Sequence, residues 1–258
     1  MTVPAEPEVR VERADRVLVM TINRPAQKNA MTRAAGEIIA AALDELDTDS
    51  SLSVGILTGA GGTFCAGMDL KRFAAGELPA VPGRGFGGLT ERPPVKPLIA
   101  AVEGHAVAGG FELVLACDLV VAARGARFGL PEVKRGLVAR GGGLFRLPRR
   151  VPKALAAELI FTGDVLTAER AAALGLVNRL VDDTRALPEA LAFARQVAAG
   201  APLALAASKR ILAESADWPE GEAFARQASI TDPVFASEDA REGALAFAEK
   251  RAPVWRGR

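Results

Sequence analysis

Strand-like and helical segments alternate through residue 181, and only helical segments follow. This order is the feature that most limits the folds open to the chain. Three helices are predicted in this part of the chain: one over 34–46, capped by Thr32; one that begins at Gly109; and one that begins after a cap at Thr167. Such alternation predicts an α/β core, and periodicity alone favours a doubly wound sheet. The predicted strands are 16–22, 54–58, 98–102, 118–122 and 177–181.

The last part of the chain shows no strand signal. Its switch to helix alone marks a C-terminal subdomain, so we predict a catalytic core over 1–197 and a helical oligomerisation subdomain over 198–258. The final helix carries Leu245 and Phe247 among other apolar residues, and we expect it to pack on another subunit or on its own core. The predicted helices are 187–199, 202–215, 219–230 and 237–250.

Composition excludes several classes of function. The chain has 258 residues, half of them apolar, which suits one large domain. Its formal net charge of +1 gives no excess of positive charge that would bind nucleic acid or an anionic membrane. Its two cysteines, Cys65 and Cys117, form neither a disulfide framework nor a metal cluster. The first residues lack an apolar signal core, and no apolar stretch reaches membrane-spanning length. We therefore expect a cytoplasmic protein without a metal.

A Gly- and Pro-rich stretch interrupts the alternation. Residues 74–94 contain little that favours a helix or a strand. A loop of this length inside a compact domain is usually functional or disordered. We expect an irregular segment that is either disordered or a mobile lid over a pocket.

Two glutamates in the segment 104–143 are the candidate catalytic groups. Glu112 follows Gly109 and Gly110 at the start of an apolar helix, and Glu132 follows Pro131. Taken singly, each has an ordinary explanation, as a partner of the helix dipole or as a solvated surface residue. They lie 20 residues apart (132 − 112), so only the fold can bring them together. Paired carboxyl groups in an apolar setting are typical of acid–base work on a water molecule.

With these residues in view, the chain resembles the crotonase (enoyl-CoA hydratase/isomerase) superfamily along nearly its whole length. The resemblance implies an α/β fold built as a spiral of ββα repeats, with a C-terminal helical subdomain, in place of the doubly wound sheet. The ending of the chain is similar to the hydratase and carnitinyl-CoA dehydratase branch. The segments that carry the match are Asn23-Arg24-Pro25 with Asn29-Ala30, 57–70, 98–121, 128–132 and 174–178.

The resemblance also implies roles for individual residues. Glu112 and Glu132 correspond to the two catalytic glutamates, and the backbone N–H groups of Met68 and Gly109 correspond to an oxyanion hole for the thioester carbonyl. Glycine at 109 and 110 would let the thioester approach the backbone, although simple tight packing of the turn also explains it. Residues that match CoA- or substrate-binding positions are Lys28, Ala30, Ala66, Asp69, Leu70, Phe247 and Lys250. For Lys250 the alternative is a solvated surface lysine.

The activity implied is hydration of a 2-trans-enoyl-CoA to a 3-hydroxyacyl-CoA by a homotrimer or homohexamer. Coenzyme A would be part of the substrate, with no separate cofactor. The alternatives are a Δ3-Δ2-enoyl-CoA isomerase, a carnitinyl-CoA-type dehydratase, or a non-catalytic acyl-CoA- or RNA-binding protein of the same fold. One departure stands out: many hydratases have Pro-x-x-Gly-Gly where this chain has Ala139-Arg140 before Gly141–Gly143. This departure affects the shape of the loop and the acyl group it would favour.

Overall fold

The computed structural model describes residues 6–258 and contains a large sheet, a small sheet and a short hairpin. The strands are β1 Val9–Ala14, β2 Val17–Ile22, β3 Val54–Gly59, β4 Ala80–Val81, β5 Gly85–Phe86, β6 Leu98–Val102, β7 His105–Val107, β8 Leu119–Ala123, β9 Arg127–Gly129, β10 Val165–Thr167 and β11 Arg179–Val181. The α-helices are α1 Arg33–Thr48, α2 Leu70–Ala74, α3 Gly109–Ala116, α4 Gly143–Arg150, α5 Lys153–Thr162, α6 Ala168–Ala173, α7 Ala186–Ala198, α8 Pro202–Glu214, α9 Ala223–Phe235 and α10 Glu238–Glu249.

From β6 to β9, consecutive strands alternate between the two main sheets. The large sheet has the order β1-β2-β3-β6-β8-β11 and is parallel except for the β1–β2 pair, while the small sheet has the order β10-β9-β7. Along the chain β6 joins the large sheet, β7 joins the small one and α3 follows, and β8 and β9 repeat this pattern. Cys65, after β3, bridges to Ala106 of β7 and so begins the same pattern one turn earlier. This is a spiral of ββα turns and not a doubly wound sheet.

The large sheet is covered on both faces, which explains its apolar strands. All six residues of β2 are buried. One face packs on α7 through Ala186, Ala190 and Ala194, and the other belongs to the main core, which includes the buried side of α1. Parallel strands with both faces covered read as continuous apolar runs, and for this reason the sequence located them. Thr32 and Thr167 cap α1 and α6 as predicted, each accepting a backbone N–H.

Short elements escaped the sequence analysis. β1 was not predicted because four of its six residues are exposed and three of these are charged, yet it pairs with β2 through a two-residue turn at Asp15 and Arg16. Three-residue strands such as β7 and β9 are too short for a periodic signal. The last helices were found, although α9 begins at Ala223 instead of 219.

The expectation of an irregular or disordered 74–94 segment was wrong for its second half. β4 and β5 form a hairpin there, and Leu89, Thr90 and the Arg84 side chain are buried. Arg84 pairs with Asp44 of α1 and donates to the carbonyl of Arg92 at 3.0 Å. Buried anchors of this kind hold the hairpin against the core, which argues against a lid in this half of the segment.

The C-terminal helices pack mainly on one another, with α8 against α9 and α9 against α10. Residues 251–258 fold back along α10, where buried Asp239 accepts from the N–H groups of Arg256 (2.7 Å) and Gly257 (2.9 Å). Across residues 6–258 no single helix is long and apolar enough to cross a membrane. The pair α7 and 202–217, bent by 106°, reaches that length and composition. The division of the chain at residue 197 stays a prediction.

Asn29 braces the segment that precedes α1. It is fully buried at φ 56°, donates to the carbonyls of Ala60 (2.8 Å) and Thr63 (2.5 Å), and accepts from Arg24 N–H (2.9 Å). Asparagine tolerates this left-handed backbone conformation better than most residues.

We predict that Asn29→Ala strongly destabilises the protein. Each buried polar group left without its partner costs about 1–3 kcal/mol, so a total loss of about 3 kcal/mol or more is expected in urea unfolding. Asn23→Ala is the control, because the hydrogen bonds of Asn23 to Glu6 and Pro7 lie at the surface. Equal losses for the two variants would contradict the bracing role of Asn29.

Candidate active site

The Glu112 carboxylate lies in the protein interior. It sits in the first turn of α3, a helix whose residues are all buried, and only 3% of Glu112 is exposed. Gly143 N–H donates to its Oε1 at 2.9 Å. Gly141 N–H is also close enough to favour the charged form, although only the Gly143 bond has full hydrogen-bond geometry. Burial outweighs both amides and raises the pKa of Glu112 to about 7.

The glycines at 141–143 let the backbone close over this carboxylate. A β-carbon at Gly141 would lie 2.7 Å from Oε2 of Glu112, and one at Gly143 would lie 3.1 Å from Oε1. Gly142, between them, has φ 99°, a conformation that side chains rarely adopt. The sequence analysis identified this run only as a turn and missed its contact with Glu112. The run of three small residues was the available signal.

Glu132 is brought to the same place by a 3-10 turn over Pro131–Arg135 that ends at Gly136. Its Oε2 is buried and has no hydrogen-bond partner among residues 6–258. Burial raises the pKa of Glu132. The pKa of Glu112 is raised chiefly by burial and further by the charge of Glu132, so the two carboxyl groups lie within range of each other's charge.

Met68 and Gly109 also converge. A β-carbon on Gly67, next to Met68, would lie 3.2 Å from the nitrogen of Gly109. Within residues 6–258 neither the Met68 nor the Gly109 N–H donates a backbone or side-chain hydrogen bond. Ala108, at φ 51° and ψ −131°, turns the chain into α3 in a conformation that costs about 1–3 kcal/mol for a residue other than glycine. Its own N–H is held by the carbonyl of Gly129 at 2.9 Å.

Packing within the chain explains glycine at 109 and 110. A β-carbon at Gly109 would overlap the ring of Phe86, from the β4–β5 hairpin, and one at Gly110 would overlap the carbonyl of Cys65. The expectation that these glycines serve the approach of a thioester is thus not needed to account for them. Phe86 was absent from the sequence analysis, because nothing in a Gly-rich loop shows which residue it contacts.

Five of the predicted binding residues form one cluster. The segments around Lys28 and Ala66 pair: Ala66 N–H donates to the carbonyl of Lys28 at 3.0 Å, and Met31 N–H donates to that of Gly67 at 2.7 Å. Ala30 is buried, whereas Lys28 and Leu70 are exposed.

The Asp69 carboxylate in this cluster has a structural role. It accepts from the N–H groups of Lys71 (3.1 Å) and Arg72 (3.3 Å) at the start of α2 and pairs with Arg24 at 3.0 Å. Its pKa is lowered because these bonds and the Arg24 charge outweigh the opposing effect of burial. Asp69 therefore fixes the turn that follows Met68.

Phe247 and Lys250 lie apart from this cluster in the single chain. Both belong to the end of α10, which packs on α9, and Phe247 is 87% exposed. Lys250 ends the helix in a left-handed conformation with its N–H bonded to the carbonyl of Phe247 at 3.2 Å. Neither residue is hydrogen-bonded to residues 28–70 within the described chain.

Comparison with known proteins places the chain in a family. Residues 12–258 match the family described as enoyl-CoA hydratase/isomerase, and the chain belongs to it. It is 44% identical to enoyl-CoA hydratase EchA19 of Mycobacterium tuberculosis, with 100% of this chain and 99% of the relative covered. It is 43% identical to carnitinyl-CoA dehydratase of Salmonella typhi, with 94% and 95% covered.

A solved structure confirms the crotonase fold that the resemblance implied. The crystal structure of enoyl-CoA hydratase EchA1 from Mycobacterium marinum is 61% identical to this chain and superimposes with a TM-score of 0.96. The match covers 98% of this chain and 100% of the other. The doubly wound sheet suggested by periodicity is thereby excluded.

The contact between Gly109 and Phe86 yields a prediction about coupled variants. Gly109→Ala should destabilise the protein, since the new methyl group meets a rigid ring. In a Phe86→Ala background the same substitution should cost much less, because the ring is gone. Urea unfolding of both single variants and the double variant measures the coupling. Additive losses would show that the ring and the glycine do not constrain each other.

The raised pKa of Glu112 predicts how stability depends on pH. The pKa of the Glu112 carboxyl is about 7 in the folded protein, compared with 4.5 for the unfolded group. Stability from Glu112 is therefore full below about pH 4.5 and is lost as the pH rises through 7, by about 3 kcal/mol at 1.36 kcal/mol per pKa unit. The wild-type free energy of unfolding should fall over this range relative to Glu112→Gln. A difference that stays constant with pH would contradict the raised pKa.

Proposed function

We propose that the protein is an enoyl-CoA hydratase, a hydro-lyase that adds water syn across a 2-trans-enoyl-CoA to give a 3-hydroxyacyl-CoA. The observation that carries the proposal is the pair of buried carboxyl groups, Glu112 and Glu132, each with a raised pKa. Acid–base groups work best when their pKa lies near the operating pH. The hydratase names of similar proteins support the same reaction.

The N–H groups of Met68 and Gly109 would bind the thioester carbonyl. Both donors are unused within the described chain and lie on adjacent turns. Negative charge develops on that oxygen when hydroxide adds to the β-carbon, and preorganised donors stabilise it. Gly109 is also the first residue of α3, so the positive end of the helix dipole adds to this effect.

The two glutamates would bind one water molecule and transfer its protons during the addition. The oxygen of that water attacks the β-carbon, a glutamate takes the proton left behind, and a proton passes to the α-carbon, so that the elements of water are added in full. The buried Oε2 of Glu132, without a protein partner, is available to the water. Glu112 is oriented by Gly143 and titrates near neutral pH. The two carboxyls then titrate as a coupled pair.

Coenzyme A would bind along the cluster of Lys28, Ala30, Ala66, Asp69 and Leu70 as part of the substrate, and no separate cofactor is needed. We propose that Phe247 and Lys250 act on the CoA of a neighbouring subunit in a homotrimer or a homohexamer. The exposed side chains of Phe224, Phe235 and Phe247 on α9 and α10 support this.

We further propose that the enzyme works in the cytoplasm. Cys65 and Cys117 are both buried free thiols, as suits a reducing compartment. Burial raises the pKa of each thiol to about 12, which keeps them unreactive.

A carnitinyl-CoA dehydratase is the second candidate, favoured by the 43% identity to the Salmonella typhi protein. The reaction is of the same class and would use the same two glutamates. Incubation with crotonyl-CoA and with crotonobetainyl-CoA, each followed by loss of the enoyl absorbance, separates the two. The better substrate by kcat/KM identifies the activity.

We predict that Glu112→Gln and Glu132→Gln each leave a folded protein that binds CoA thioesters but hydrates crotonyl-CoA about 10²–10⁴-fold more slowly. Each amide keeps the shape of the side chain and removes a proton-transfer group. The double variant should lose less than the product of the single losses, because both residues serve one water. Absorbance assays give the rates, and calorimetric titration with acetyl-CoA gives the binding.

Glu158→Gln is the matched control, since Glu158 is exposed on α5. It should keep wild-type turnover. Full turnover in either active-site variant would refute the two-carboxylate mechanism. Tight binding of acyl-CoA by a wild-type protein that transforms neither substrate would instead favour a binding protein.

A further inference from the structure

Arg146 joins two segments that border the site. It lies on α4, three residues after Gly143, and its side chain is partly buried. Its Nη1 donates to the carbonyl of Gly141 at 3.1 Å, and its Nη2 donates to the carbonyl of Thr90 at 2.6 Å. One guanidinium therefore ties the loop over Glu112 to the segment that follows the β4–β5 hairpin.

The loop is shaped to accept this side chain. A β-carbon on Gly142 would overlap the Arg146 guanidinium, so glycine there is required by Arg146 as well as by the backbone conformation. The guanidinium also stacks on the ring of Phe145, 5.1 Å from its centroid. A planar group with two fixed donors is held in one orientation by these contacts.

The charged neighbours of Arg146 come from two helices. Glu112 and Cys117 face it from α3 and its end, and Arg149 and Arg150 lie on its own helix. Burial lowers the pKa of Arg146 most, Arg150 lowers it further, and Glu112 raises it. The Cys117 thiol has a pKa of about 12 and stays neutral near neutral pH. Glu112, whose pKa is raised to about 7, is thus the neighbour of Arg146 whose charge changes near neutral pH.

We propose that Arg146 is a positioning residue for the acid–base step: it fixes the Gly141–Gly143 loop over Glu112 and places a positive charge next to that loop. The inference rests on the proposed hydratase function for its kinetic part. Its structural part concerns Glu112 alone and holds for any reaction at that carboxyl. No contact between Arg146 and the substrate is involved.

The side chain has two separable effects. The hydrogen bonds to Gly141 and Thr90 need the two-pronged guanidinium, whereas the effect on the charge of Glu112 needs only a cation. Arg146→Gln removes the cation and shortens the reach. Arg146→Lys keeps a cation but cannot donate from two fixed, parallel N–H groups.

The experiment measures the pH dependence of kcat/KM with crotonyl-CoA, and the titration of Glu112 by infrared spectroscopy of the protonated carboxyl band. Glu112→Gln assigns that band. In Arg146→Gln the Glu112 titration and its limb of the rate profile should move to higher pH, because the nearby positive charge is lost. Turnover should fall by up to about 10²-fold, as expected when a catalytic group is slightly misplaced. Arg146→Lys should keep the titration near that of wild type while turnover still falls.

Arg149→Gln is the control. Arg149 lies on the same helix but is exposed and pairs with Asp217 at 3.4 Å, so both readouts should stay near those of wild type. An unchanged Glu112 titration in folded Arg146→Gln would overturn the electrostatic part. Wild-type turnover in Arg146→Lys would overturn the positioning part, and this variant decides that part if Arg146→Gln does not fold. A wild-type protein without hydratase activity refutes the proposed reaction, while the infrared titration still tests Arg146.

Discussion

The burial of one carboxyl group, that of Glu112, is the constraint on which the rest of the site depends. A carboxylate removed from water needs donors, and here these are the backbone amide of Gly143 and the nearby amide of Gly141. Those amides reach it only because residues 141–143 carry no side chains. Burial then prevails over the amides, so the group titrates near neutral pH instead of near 4.5. The fold thus gives Glu112 a pKa that suits the proposed acid–base role.

At Ala108, too, an unfavourable feature is stabilised by the groups around it. The positive φ of Ala108 turns the chain from β7 into α3, and the Gly109 N–H at this turn donates no hydrogen bond within residues 6–258. The strain persists because the neighbours leave no other path: Ala108 is bonded to Gly129, Gly67 lies against its β-carbon, and Phe86 occupies the space above Gly109. Backbone that costs about 1–3 kcal/mol is kept next to two N–H groups, those of Met68 and Gly109, that have no partner within residues 6–258.

Much of this fold could be predicted from the sequence, for identifiable reasons. Strands buried on both faces, such as β2 and β6, read as continuous apolar runs, and the caps at Thr32 and Thr167 mark helix starts. Local pattern alone, however, suggested the wrong sheet order. The spiral arises because three-residue strands such as β7 leave the large sheet, and so few residues carry no periodicity. The family resemblance supplied the spiral that the pattern lacked, and the roles it implies for Glu112 and Glu132 stay a prediction.

The contacts that shape the site were beyond sequence reasoning because they join residues far apart in the chain. Phe86 meets Gly109, and Arg146 meets Thr90 across 56 positions, yet neither pair leaves a local pattern. Both contacts involve the segment after residue 79, which composition alone marked as irregular. Because Leu89 and Arg84 are buried there, the segment is rigid enough to hold two groups in place. The same stretch therefore contacts the proposed oxyanion donor through Phe86 and the Glu112 loop through Arg146, so the hairpin and the residues after it border both halves of the site.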